Sequence, residues 1–409
     1  MRRPLALALA GALGLSAAPA VAGGLDLPIV YTARHAGMGG TAIAGVNDAS
    51  AVWHNPAGLA GVSGLSLLGN LTLVDTNLET SPSYPNQNVQ SGDSVAPAPF
   101  IAAAYRPIDK LSVGLGAYPL GAVSGTFKYN DANGVPTLNS QNTIVYEISP
   151  AVSYTPIKQL SLGVGYRVTI IQFDRHLGAA SNPVTVDINS SGANFTGFRF
   201  GIQWHPLKQL SFGAVYRPEI QLTSSADSGH LLGQAATNIQ AQLNYPSKLG
   251  AGVRVDLDPV SFAVDYEFVS NSQFKTINLN GDLPHGTINA PFLFNWSDSS
   301  TIKVGVEYRP THEVALRAGY AWDGSFSNPG YPDTFMQPPV AGNYLTLGAG
   351  YRGESWAVNV ALSYRPDETA VITANEVASA TECPLCAKPG TYGSRLNMAL
   401  VDFSKDFDL

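Results

Sequence analysis

The sequence predicts an all-β protein: a transmembrane antiparallel β-barrel of about fourteen strands, with an N-terminal segment lodged in its lumen. Three observations predict it. The chain opens with an export signal, it repeats a β-hairpin about every fifty residues, and its strands alternate apolar and polar residues over ~10–14 positions.

The export signal comes first. Arg2 and Arg3 form a basic n-region, Leu5 to Leu15 an apolar h-region, and Ala20-Val21-Ala22 a small-residue cleavage site. Residues 1–22 therefore read as a signal peptide, with the mature chain starting at Gly23. The apolar run is too short to anchor in a bilayer, and no later stretch approaches the ~18 apolar residues of a transmembrane helix. Only 13% of residues are charged, about half the roughly 25% of soluble proteins, while 41 glycines and 18 tyrosines suit strands and turns. A net charge of -7 without any Lys/Arg run argues against nucleic acid as a partner.

The hairpins follow. The stretches "AAYRPIDKLSVGLGAY" (103–118), "VSYTPIKQLSLGVGYR" (152–167) and "IQWHPLKQLSFGAVYR" (202–217) are alike, with weaker copies at 253–268, 306–320 and 349–364. Each is a strand, a tight turn holding Pro or Gly, and a strand. Longer polar loops such as 81–94 and 327–335 separate them. Six short turns imply twelve strands; one strand before them (about 64–75) and one after (about 393–403) bring the total to about fourteen, an even number, as closed bacterial barrels require.

Alternation assigns the faces. Leu162, Val164, Tyr166, Val168 and Ile170 lie opposite Ser161, Gly163, Gly165, Arg167 and Thr169. In 301–309, Ile302, Val304, Val306 and Tyr308 lie opposite Lys303, Gly305, Glu307 and Arg309. In a barrel the apolar face meets lipid and the other lines the lumen. Tyr105, Tyr154, Trp204, Tyr308 and Tyr351 precede the short turns, as an interfacial aromatic girdle would. A propeller of kelch-like repeats is the soluble rival, but it needs four short strands per repeat where two long ones are present.

Residues 23–62 do not read as wall. "GMGGTAIAGVNDASAVWHNPAGLA" (37–60) is small, Gly-rich and nearly uncharged, and the helix-like stretch before Asn55-Pro56 cannot continue through them. Such a segment suits the inside of an otherwise open lumen, where small residues allow close packing. It resembles the N-terminal hatch of the FadL/TodX family of outer-membrane transporters for long-chain fatty acids and aromatic hydrocarbons, whose Asn-Pro-Ala motif falls on Asn55, Pro56 and Ala57. The resemblance implies a fourteen-stranded barrel (63–409) plugged by a hatch (23–62), in the bacterial outer membrane. It also implies a hydrophobic small molecule as ligand, outer-membrane lipid and lipopolysaccharide as surroundings, and a kinked third strand that opens the wall sideways. That strand is "LSVGLGAYPLGAVSGTF" (111–127), with Pro119 and Gly121; Pro119 reads as the only proline well inside a long strand after a short turn.

Arg167, Arg199, Arg254, Lys303, Arg309 and Arg317 project to the lumen beside Glu147, Asp265 and Glu267, and are expected to form ion-pair ladders. His54, Arg167, Arg199 and Arg317 are the candidate ligand or plug contacts. Cys383 and Cys386, in the last extracellular loop, are expected to form a disulfide in an oxidising compartment. No catalytic motif, metal site or cofactor motif is present, so the chain is not expected to be an enzyme. A monomer that carries hydrophobic molecules inward passively is the expected function. A general porin and a structural or partner-binding barrel are its rivals. Loops 174–193 and 224–239 look short and polar for a collector of fatty acids, which leaves room for smaller or aromatic substrates.

Overall fold

A computed structural model describes residues 26–27, 29–80, 89–90, 94–130, 134–179, 182–335, 338–379 and 389–408. The expected signal peptide (1–22) and Cys383 and Cys386 lie outside those residues.

Nineteen strand segments join in one antiparallel sheet. They make the fourteen barrel strands that the hairpins predict. These are β1 Leu65–Thr80, β2 Ser94–Ile108, β3 Leu111–Asn130, β4 Pro136–Ile157, β5 Leu160–Ala179 and β6 Asn182–Leu207. Four follow in two segments each: β7 Leu210–Arg217 and Ile220–Leu231, β8 Gln234–Tyr245 and Lys248–Leu257, β9 Val260–Val269 and Thr276–Leu283, β10 Gly286–Leu293 and Ser299–Tyr308. The last are β11 Val314–Asp323, β12 Gly342–Arg352, β13 Trp356–Ile372 and β14 Gly390–Phe407. A stub, Val89–Gln90, pairs with the top of β1. The sheet closes on itself because β1 pairs β2 on one side and β14 on the other, from Leu65↔Phe407 to Thr80↔Tyr392. The short turns and both ends of the wall share one rim, the periplasmic one in such barrels.

Several strands are longer than expected; β6 alone has 26 residues. The extra length carries the wall above the membrane, and there the alternation inverts. In lower β6, Phe198, Phe200, Ile202 and Trp204 face outward while Arg199 and Gln203 are buried in the lumen. In upper β6, Val186 and Ile188 are buried and Asp187 and Asn189 exposed. Lipid surrounds the lower wall and water the upper one, so the apolar residues turn inward where the outer medium becomes polar. Ile171, Phe173, Leu222, Leu231, Ile239 and Leu279 join this apolar upper lumen, with Phe127, Phe274, Trp296 and Phe335. The stretches 174–193 and 224–239, read as short polar loops, are therefore largely strand. Most of their buried residues are apolar (Val186, Ile188, Leu231, Ala236, Ile239), with Ser190 and Ser224 hydrogen-bonded to each other among them.

Residues 29–62 lie inside the lower lumen. They form two single-turn helices, α1 Ala33–Ala36 and α2 Ala51–His54, and a 3-10 turn Pro56–Gly61. Short irregular backbone has many unpaired polar groups, and the polar lumen face satisfies them. Asp265 accepts from the Ala42 and Ile43 amides (2.7 and 3.0 Å), Asp402 accepts from the Arg34 amide (3.0 Å), and Gln203 donates to the Val46 carbonyl (3.0 Å).

Candidate functional site

Asn55 is the joint between the inner segment and the wall. It leaves α2 in an extended conformation, and its Oδ1 accepts from the Ala57 amide (3.1 Å), capping the 3-10 turn that Pro56 starts. Its Nδ2 donates to the carbonyls of Ile43 in the inner segment (2.8 Å) and Ile202 in β6 (3.1 Å). Both ends of one amide are used, which Asp or Ser cannot reproduce. Pro56 and Ala57 press on a slot with no side chains. A Cβ on Gly163 would sit 2.2 Å from the Ala57 nitrogen, and one on Gly201 would sit 2.0 Å from Asn55 Oδ1. Ser153 closes the slot by donating to the Ala57 carbonyl (3.0 Å).

Beside this joint the wall loses its pairing. The β2–β3 ladder runs from Ile108↔Leu111 up to Ile101↔Ala117 and, among the described residues, no further. Two residues on, β3 bulges: Pro119 pairs Tyr146 of β4, and Gly121 pairs Val145, leaving Leu120 as the extra residue. The Pro119 carbonyl accepts a hydrogen bond from Tyr31 Oη of the inner segment (2.9 Å). Tyr31 belongs to an aromatic cluster behind the seam. Phe100 of β2 stacks on Tyr118 of β3 at 5.1 Å, Tyr31 lies 5.1 Å from Phe100, and Trp53 meets Tyr118 edge-on at 5.1 Å.

A buried charge cluster backs the aromatics. Glu147 of β4 accepts from Arg167 Nε (2.6 Å), Arg199 Nη2 (3.0 Å) and Tyr118 Oη (2.6 Å). Arg199 also donates to the Val52 carbonyl (2.6 Å) and lies over the Trp53 ring. The expected ladders are thus present, with two further hubs. Glu307 holds Arg254, Arg309 and Arg317, and Glu267 holds Lys248 and Lys303.

The space around the inner segment is uneven. On the periplasmic side, two polar cavities of about 870 and 590 Å³ share Arg34, Asn47 and Arg309 in their linings. On the other side a pocket of about 50 Å³ remains, lined by His54, Trp53, Arg199 and Lys303 among others. The His54 ring packs on His35, 4.8 Å between centroids. Burial, helped by the charge of Arg34, pushes His35 down to about 4. Burial first, then His35 and the cations Lys303 and Arg199, push His54 well below the usual histidine range. Both rings are therefore neutral near pH 7. The contribution of His35 to folding is complete above about pH 6.5 and is lost as pH falls through about 4, on the order of 3 kcal/mol, and His54 adds to the loss in the same direction. Acidification from pH 7 to pH 4 should accordingly lower the amide protection factors of residues 33–57, taken against the intrinsic exchange rate at each pH; factors that stay flat over that range would exclude the pair as a source of stability.

Comparison with known proteins places this arrangement. The outer membrane protein transport protein family (OMPP1/FadL/TodX) matches residues 14–395. The chain belongs to that family. Solved structures with the same fold include a Pseudomonas aeruginosa FadL homologue, 16% identical with a TM-score of 0.76, covering 94% of this chain and 100% of that one. The Pseudomonas putida toluene transporter TodX is 16% identical, TM-score 0.72, with 94% and 100% covered. The Ralstonia pickettii toluene transporter TbuX is 18% identical, TM-score 0.67, with 93% and 99% covered. No curated protein sequence matches. As a FadL/TodX family member, the chain is a bacterial outer-membrane protein.

Within that frame the residues singled out from sequence separate. Asn55, Pro56, Ala57, His54, Pro119, Gly121, Arg167 and Arg199 converge on one side of the lumen. Arg317 does not; it is committed to Glu307 (2.6 Å) and Asn359 (2.8 Å) on the periplasmic side. Arg167 Nη1 and Nη2 have no hydrogen-bond partner among the described residues. The uniqueness given to Pro119 is corrected: Pro218 also interrupts an ascending strand, between the two halves of β7, and Pro366 lies inside β13, where its ladder with β14 shifts register. Arg217-Pro218 ends a run of regular alternation and so reads as a strand end. Tyr31, Trp53, Phe100 and Tyr118 are not legible as a group in the sequence, since no period links a tyrosine of the inner segment to two wall residues.

Proposed function

We propose that the chain is a passive outer-membrane channel for hydrophobic small molecules, long-chain fatty acids or aromatic hydrocarbons, which leave sideways through the wall at β3. The observation that carries this reading is the loss of β2–β3 pairing above Ile101 and Ala117 on a lipid-facing surface. An apolar solute entering the upper lumen is favoured by roughly 0.8 kcal/mol per CH₂ group, and a side exit spares it the polar outer leaflet. A hydrophilic porin has no use for an apolar upper lumen.

In this reading residues 23–62 are the hatch and 63–409 the barrel. Asn55, Pro56 and Ala57 seat the hatch, Pro119 and Gly121 break the wall, and Tyr31, Trp53, Phe100 and Tyr118 form the inner gate. Arg199 is held by Glu147 and Val52, so it positions the gate. Arg167, with two unpartnered nitrogens, and His54 are the ligand contacts. The protein acts as a monomer among lipid and lipopolysaccharide, with no cofactor and no chemistry of its own.

The test is uptake of labelled oleate and of toluene by cells lacking their own hydrophobic transporter. Wild type should import at least one, and Pro119→Val/Gly121→Val should reduce that import at least tenfold. Import of neither by a correctly folded wild-type barrel would refute transport of these substrates. The preferred compound names the substrate class.

A further inference from the structure

The β2–β3 ladder ends where neither strand has an N–H to offer. Arg106 of β2 donates its amide to the Gly64 carbonyl, just before β1 (3.0 Å). Along an antiparallel strand, alternate residues direct N–H and C=O to the same neighbour. Even-numbered residues of β2 therefore serve β1, and odd-numbered ones serve β3. The odd residues, read upward from the last pair, are Ile101, Pro99 and Pro97. In unbroken register the pair after Ile101↔Ala117 would be Pro99 opposite Pro119. That pair has two carbonyls and no donor. Tyr31, reaching from the hatch, supplies the donor that Pro119 lacks.

We infer that Pro99, with Pro97, is a positioning residue for lateral release: it keeps β2 from pairing with β3 and so holds the seam open. The inference rests on the lateral reading above and adds the second strand to it. The β1 side of β2 is unharmed, because its ladder with β1 continues to Thr76↔Ser94. The outer face there is apolar, with Val95 58% exposed, so the seam opens to lipid.

The break at Pro218 is the internal control. There, β6–β7 pairing stops at Phe200↔Tyr216 and resumes at Ser191↔Ser225. In register, Pro218 lies opposite Phe198, which keeps its N–H. Asn194 Nδ2 bridges the break to the Gln221 carbonyl (2.9 Å), and the strands touch so closely that a Cβ on Gly192 would sit 1.8 Å from the Thr223 oxygen. One proline leaves a break that the wall mends. Prolines on both edges leave one that it does not.

The experiment is Pro97→Val/Pro99→Val, with Pro99→Val alone in case the double variant folds poorly. Folding is checked by heat-modifiable gel migration. Amide exchange at 97 and 99 is read in lipid bilayers, together with toluene and oleate uptake. New amides protected like that of Ile101, with uptake down at least tenfold, are the expected result. Amides that exchange as freely as a loop's would overturn the inference and leave the lateral route standing. Protected amides with undiminished uptake would overturn the lateral route itself, and this inference with it.

Discussion

Valine at both Gly163 and Gly201 should unseat the inner segment and open the lumen that it fills. Each side chain would occupy space now filled by Asn55, Pro56 or Ala57, at 2.0–2.2 Å from their atoms, and neither strand can retreat without breaking its ladder. Overfilling a packed site costs about 1–3 kcal/mol or more, so the pair shifts seating by roughly thirty-fold to ten-thousand-fold. The wall itself should survive, because the two residues face the lumen and β5 and β6 pair along most of their length. Single-channel recording in planar bilayers should then show large, steady ionic conductance where the wild type is quiet. Conductance no greater than wild type would mean that the slot does not seat the inner segment. Asn55→Leu should act in the same direction more weakly, since it removes the bonds to Ile43 and Ile202 without adding bulk against the wall.

Replacing Glu147 by leucine should be the most destabilising single change in the wall. The carboxylate is 0% exposed and is shared by two buried guanidinium groups and the Tyr118 hydroxyl. Removing one member of a buried ion pair typically costs 3–5 kcal/mol, because its partner stays charged, dry and unpaired; here two partners are left. The urea midpoint should fall accordingly. Glu147→Leu/Arg167→Met should recover part of the loss, since it removes one of the stranded charges. A loss under about 1 kcal/mol would mean that water reaches the cluster. Uptake is a second readout. Arg199 would lose its anchor and with it the grip on Val52 and Trp53, so the gate should loosen as well as the barrel.

Much of this was legible in the sequence because its causes are local. A tight turn with Pro or Gly every fifty or so residues, and alternation of period two, report each hairpin independently of the others. Asn55-Pro56-Ala57 is legible for the same reason: a helical turn ended by proline and an extended asparagine is a short-range event, and Asn55 does cap the following turn.

The inversion of β6 was harder. "VDI" at 186–188 alternates as regularly as "FRF" at 198–200, and periodicity carries no record of whether lipid or water lies outside. The 174–193 stretch consequently read as polar loop.

By itself, then, the sequence determined the barrel, its strand number and its polar lumen, because alternation and turn chemistry act within a few residues. Tertiary structure alone decided where the wall fails to close. Pro99 and Pro119 are ordinary edge or loop prolines until the Ile108–Leu111 turn sets the register that would place them opposite each other, and the direction of a strand's N–H groups is set by which neighbour it already serves. The same holds for Tyr31, whose hydroxyl meets the Pro119 carbonyl across 88 residues of chain. A missing donor leaves a ladder unpaired only when its partner's donor is missing too, and that is a property of the pair.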